Sequence, residues 1–184
     1  VPDGDSIIPI INELQKHFPL IVATQDWHPA HHLSFASAHP EKKEFETIKL
    51  GDTEQILWPD HCVQGTKGAE IAESVSLNRV NAIFRKGMDP EIDSYSTFFD
   101  NEYKNSTGLS DYLKGKGVIE VYIVGLAGDF CVGFSALDAI KEGFSTFVIE
   151  DGTKPIDKEG FEEMKAKITG QGGKFIQSSS IIFE

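Results

Sequence analysis

Five short runs of nearly continuous apolar residues constrain this chain more than any other feature: "LIVAT" at 20–24, "VNAIF" at 80–84, "VIEVYIVGL" at 118–126, "STFVIE" at 145–150 and the weaker "KFIQ" at 174–177. Runs of this length without polar alternation belong to strands covered on both faces. Between them lies helical spacing. "DSIIPIINELQKHF" has Asp5 or Ser6 as its cap and apolar residues at 7, 8, 10, 11, 14 and 18, with Pro9 tolerable in a first turn. Further helices are predicted at 107–116, 131–143 and 158–170. Strands and helices alternating in this way build βαβ units, so the expected fold is α/β: a three-layer, doubly wound, mostly parallel sheet with helices on both faces. Sites in such sheets gather at the carboxyl ends of the strands.

The 184 residues suit one domain, 1–184, and a composition of 40% apolar and 25% charged residues is that of a globular protein. A net charge of −12 repels phosphate backbones and anionic lipid, which excludes nucleic acid and membrane surfaces as partners. Two cysteines, Cys62 and Cys131, make no disulfide framework, and no stretch reads as a signal peptide or membrane span, so a reducing, cytoplasmic setting is expected.

Two long stretches break the rhythm, 26–65 and 85–105, rich in His, Pro, Asp and Ser. Long loops in a compact domain are usually functional. Each follows a strand, as does "GLAGDFCVG" after the third run, so three loops converge on one rim. "DWH" at 26–28 puts Asp26 and His28 on the same side of an extended backbone. With His61 of "WPDHC" they offer two imidazoles and a carboxylate, an open first-row metal site for Zn²⁺ or Fe²⁺. His31, His32 and His39 read as ordinary loop histidines. Cys131 stands where a strand turns into a helix, whose unpaired N–H groups favour a thiolate and can hold an oxyanion; a buried, inert thiol is the alternative. Gly125 and Gly128 permit a sharp turn there. Lys86, at the end of "IFRK", either is solvated or lends its charge to the rim. Trp58 and Tyr95, with Phe98 and Phe99, lie near enough to line a flat pocket or simply belong to the core.

Taken in order, "TQDWHPAHHLSFAS", "WPDHCVQGT", "FRKGMDPEIDSYSTFFDN" and "GLAGDFCV" resemble the nicotinamidase/pyrazinamidase family of isochorismatase-like cysteine hydrolases over about two thirds of the chain. The resemblance implies an amidase that converts nicotinamide to nicotinate and ammonia through a cysteine thioester, in NAD salvage. It implies Cys131 as nucleophile, Lys86 beside it, and one divalent metal ion, Zn²⁺ before Fe²⁺ or Mn²⁺, on Asp26, His28 and His61. It also implies an oxyanion hole from the N–H groups of Ala127 and Cys131, with a cis Leu126–Ala127 peptide, and a substrate pocket of Trp58 and Tyr95. The partner is then a small-molecule amide, with a homo-oligomer compatible with the chain. The family's aspartate at the end of a first strand has no counterpart here, and Asp3 and Asp5 do not fill its role. That strand is central in the family's sheet. The expectation is therefore an N-terminally incomplete domain, with a slot of about 9–10 Å between its neighbours, twice the usual strand spacing. Two alternatives remain open, a metal-binding pseudoenzyme and an isochorismatase-like hydrolase of another small amide. An Fe²⁺ oxygenase would need a strand-rich barrel, which the alternating pattern rejects.

Overall fold

The structure is a computed structural model describing residues 1–51 and 53–181. A tight turn at Gly4–Ile7 leads into α1 (Ile8–Leu14), with Pro9 in its first turn, and a second tight turn at Gln15–His17 ends it. Three further helices follow in the expected places: α2 (Leu109–Gly115), α3 (Gly133–Lys141) and α4 (Lys158–Gly170), the last capped by the Asp157 carboxylate, which accepts from the Gly160 N–H.

The strands are β1 (Val22–Asp26), β2 (Thr47–Leu50), β3 (Thr53–Ile56), β4 (Ala82–Lys86), β5 (Glu120–Leu126), β6 (Ser145–Lys154) and β7 (Lys174–Ile176). β1 and β4 pair in parallel, and β5, β6 and β7 form a second parallel ladder. Both β1 and β4 sit two residues later than their apolar runs. Pairing continues past the apolar text because Gln25 and Arg85 are opposite one another, and the Arg85 Nε–H donates to Gln25 Oε1 at 3.3 Å. Asp26 and Lys86 therefore become the paired last residues of two adjacent strands.

Two other expectations are corrected. The stretch 26–65 is not all loop: β2 and β3 form an antiparallel hairpin around Gly51, whose φ of +60° suits glycine. The helix expected from residue 131 begins as an α-helix only at Gly133. A wider turn, Gly128–Val132, precedes it and holds Cys131, because the Ala127 carbonyl accepts from both Phe130 and Val132 N–H groups at 3.1 and 3.0 Å.

Among the described residues, β1 and β5 share no ladder. Both instead line an apolar cavity of about 860 Å³, whose walls include Leu14 and Phe18 as well as Cys131 and Val132. The two halves of the sheet are held together by side chains. Leu109 and Leu113 of α2, with Phe98 and Phe144, pack on Val22 and Phe84 of one half and on Val121 and Ile123 of the other. A second cluster joins α3 and α4 to β6 through Val132, Ala136, Val148, Met164 and Ile168. At roughly 25 cal/mol per Å² of apolar surface, such clusters dominate the stability of a domain.

Candidate active site

The carboxyl ends of β1, β4 and β5 open on a second cavity of about 750 Å³, continuous with the first around Thr24, Gly125, Leu126 and Cys131. Lys86 is buried there with all three of its donors engaged. Its ammonium reaches Asp26 Oδ1 at 2.6 Å, the Ser94 carbonyl at 2.7 Å and Cys131 Sγ at 3.5 Å. Burial alone would lower its pKa, but the Asp26 carboxylate outweighs it and the ammonium is held above the usual lysine range. The same pairing holds Asp26 below the usual carboxylate range despite its own desolvation.

Cys131 lies half-buried on the cavity wall. Desolvation pushes its thiol above the usual range, and the Lys86 charge offsets only part of that. A depressed thiol pKa, expected from the helix terminus, is thus not found: burial outweighs the Lys86 charge, and the α-helix itself starts two residues further on. The peptide Leu126–Ala127 is cis, as the resemblance implied. The turn that follows is fastened by Asp129, whose carboxylate accepts from the Ile156 and Asp157 N–H groups at 2.9 and 2.8 Å. Gly128 fits there because a side chain would run into the Phe161 ring.

Opposite Cys131 stand the imidazoles. His28 donates from Nδ1 to the Gly87 carbonyl at 2.9 Å and His61 from Nδ1 to the Pro59 carbonyl at 2.8 Å. A carbonyl only accepts, so each ring carries its proton on Nδ1 and its lone pair on Nε2. Burial pushes His28 down to about 4, so it is neutral at physiological pH. Its Nε2 lies 3.9 Å from Asp26 Oδ2, the oxygen Lys86 leaves free, and its ring centre is 5.0 Å from that of His61. Asp26 and His61 offer ligand atoms within 4.8 Å of each other, together with Cys62. His28 is not drawn into that set: its close ligand atoms are those of His32 and Asp93, although the Asp26 carboxylate lies near both imidazoles. Fixing the far nitrogen of each ring on a carbonyl is how metal-binding imidazoles are oriented. Gly87, at φ +64°, is required: a Cβ there would overlap the His28 ring.

Trp58 and Tyr95 both line this cavity. The sequence reading missed Phe130, which stands edge-on to Trp58 at 4.9 Å between ring centres and 5.4 Å from Tyr95; its place next to Cys131 was the available signal. It also missed a buried polar row. Gln55 donates to Asp93 Oδ2 and to the Tyr95 hydroxyl, both at 3.1 Å, and Asp93 with His28 and His32 forms a second close set of ligand atoms. His32 is fully buried, not a solvated loop residue, and its Nδ1 accepts from the Ser34 N–H and hydroxyl. Cys62 is free, with burial pushing its thiol up to about 11. Phe98 belongs to the core between the sheet halves, with Phe99 packed against it.

Parallel strands flanked by helices, with a cysteine on a strand-to-helix turn and a buried lysine against it, define an α/β cysteine hydrolase. The chain belongs to the Isochorismatase domain family, whose model matches residues 1–180. It is 46% identical over 183 residues to a nicotinamidase of Acinetobacter baylyi, covering 99% of this chain and 86% of that protein. Its structure resembles that of a nicotinamidase/pyrazinamidase of Acinetobacter baumanii, with a TM-score of 0.97 and 48% identity over 99% of this chain and 88% of the other. It also resembles the pyrazinamidase of Pyrococcus horikoshii solved in complex with zinc, with a TM-score of 0.77 and 37% identity over 96% and 88% of the two chains. Among the described residues no helix is long and apolar enough to cross a membrane.

Proposed function

We propose that this protein is a nicotinamidase, hydrolysing nicotinamide to nicotinate and ammonia and so returning the ring to NAD salvage. The observation that carries the reading is the contact of Cys131 Sγ with the Lys86 ammonium, in one cavity with two metal-ready imidazoles. Asp26, His28 and His61 would hold one divalent ion, zinc before iron(II) or manganese(II), which when bound supplies a Lewis-acid anchor for a ring nitrogen. The rings of Trp58, Tyr95 and Phe130 wall the planar ring and orient its carboxamide toward sulfur. Cys131 forms the C–S bond, the oxyanion is held by the N–H groups of Ala127 and Cys131, and the C–N bond breaks as ammonia leaves with the proton the thiol gave up. Water then cleaves the thioester, releasing nicotinate and restoring the thiol.

The proton needs a carrier, and Lys86, already charged and with every donor engaged, cannot accept one. We infer that the slot between β1 and β5 takes a further parallel strand, whose carboxyl end brings a carboxylate to Cys131. The slot has the setting for it: two strand edges, apolar walls and a mouth at the thiol. Left open, each buried, unpaired backbone group would cost roughly 1–3 kcal/mol.

Ammonia release from nicotinamide is the test. Cys131→Ala should abolish turnover while leaving nicotinamide binding and a full equivalent of metal in place, as elemental analysis would show. Ammonia release surviving Cys131→Ala would replace the thioester with attack by an activated water.

A further inference from the structure

Phe45 sits in "EKKEFE", at the entrance to the β2–β3 hairpin, with charged residues on every side in sequence. It is 61% exposed, and its φ is +69°. A bulky residue in the left-handed region is an outlier, and strain of this kind persists where the surroundings over-determine it. The backbone has its own reason for the turn. The Phe45 N–H donates to the Leu57 carbonyl at 2.6 Å, and the Leu57 N–H donates back to Glu46 at 2.8 Å, closing the hairpin. Glycine or asparagine would meet that φ with less strain and keep both bonds. What remains for the phenyl ring to do is its contact with Trp58, edge-to-face at 89° and 6.1 Å between centres.

Trp58 is the residue such a contact would serve. Its indole stands nearly perpendicular to Phe130 and to Tyr95, at 4.9 and 6.1 Å, and its Nε1–H donates to the Tyr95 hydroxyl at 3.3 Å. Those two partners belong to the cavity; Phe45 is not among its lining residues and meets the indole from elsewhere. Its backbone is also tied to the segment that carries the indole, since the carbonyl that accepts from Phe45 precedes Trp58 by one residue.

We propose that Phe45 is a positioning residue, fixing the Trp58 indole so that this wall of the site is preorganised for a planar ring. The inference rests on the reading of the cavity as a nicotinamide site, and its test has an arm that does not. Phe45→Gly relieves the φ and deletes the ring; Phe45→Tyr keeps the ring. With Phe45→Gly, the thermal midpoint should stay level or rise, KM for nicotinamide should rise about three- to ten-fold, and kcat should stay within about two-fold. Phe45→Tyr should restore KM. In a Trp27→Phe background, where Trp58 is the remaining tryptophan, Phe45→Gly should lower the steady-state fluorescence anisotropy and shift emission to the red. Unchanged anisotropy and emission would overturn the proposal, as would a rise in KM that tracks a fall in thermal midpoint. A protein that released no ammonia from nicotinamide would sink the functional reading, and the anisotropy would still decide the role of Phe45.

Discussion

Lys86 shows how one side chain can set the chemistry of its neighbours. Burial lifts the Cys131 thiol, and the ammonium 3.5 Å away is the group that lowers it. Lys86→Met removes that cation and leaves the Asp26 carboxylate uncompensated, and both changes disfavour the thiolate. The rate of alkylation of Cys131 by iodoacetamide should therefore rise with pH along a curve moved about one unit or more to higher pH. A curve that stays in place, or moves down, would mean that the ammonium does not govern the thiol. Much at this scale was legible. The convergence of "DWH", the histidine before Cys62 and the lysine ending an apolar run on one cavity followed from each standing in a loop or strand end on the same rim. The third acceptor of Lys86, the Ser94 carbonyl, was not legible, because a backbone group in a long irregular loop leaves no mark in residue type. Nor was the buried state of His32, which depends on Ser34 folding back onto its ring.

Among the elements, the turn from β5 into α3 depends most on a single residue. Asp129 faces away from the chemistry and joins this turn to the segment between β6 and α4 through two backbone N–H groups. Asp129→Ala would leave both donors without their carboxylate, at roughly 1.5–3 kcal/mol per charge-assisted bond, measurable by urea denaturation. It should also lower kcat, because the displaced groups would include the N–H pair of Ala127 and Cys131, and raise KM, because Phe130 of the ring-binding wall lies in the same turn. A loss confined to KM would argue against that. Strand existence was readable from apolar runs, but strand ends were not: polar pairs such as Gln25 with Arg85 carry the ladder two residues further. The hairpin at 47–56 escaped notice for a related reason. Each of its strands mixes polar and apolar residues over only four positions, and its two edges are satisfied mainly by each other.

At the scale of the whole molecule, the alternation of strands and helices correctly implied a parallel α/β domain, and among the described residues its sheet is divided by a seam. β1 and β4 lie on one side of it and β5 to β7 on the other, joined by α2 and its aromatic neighbours and not by a ladder. The candidate site straddles that seam: Asp26, His28 and Lys86 belong to the first side, Ala127, Phe130 and Cys131 to the second. Local opening on either side is read by amide hydrogen exchange. A ligand that touches both adds its binding free energy to the closed form alone, about 2.7 kcal/mol at a hundred times its dissociation constant. Nicotinate, the product, should therefore slow exchange in β4 and in β5 together. Protection confined to one side would place the ligand on that side only. A site built from both sides of a sheet thus makes its own occupancy legible in amides far from it.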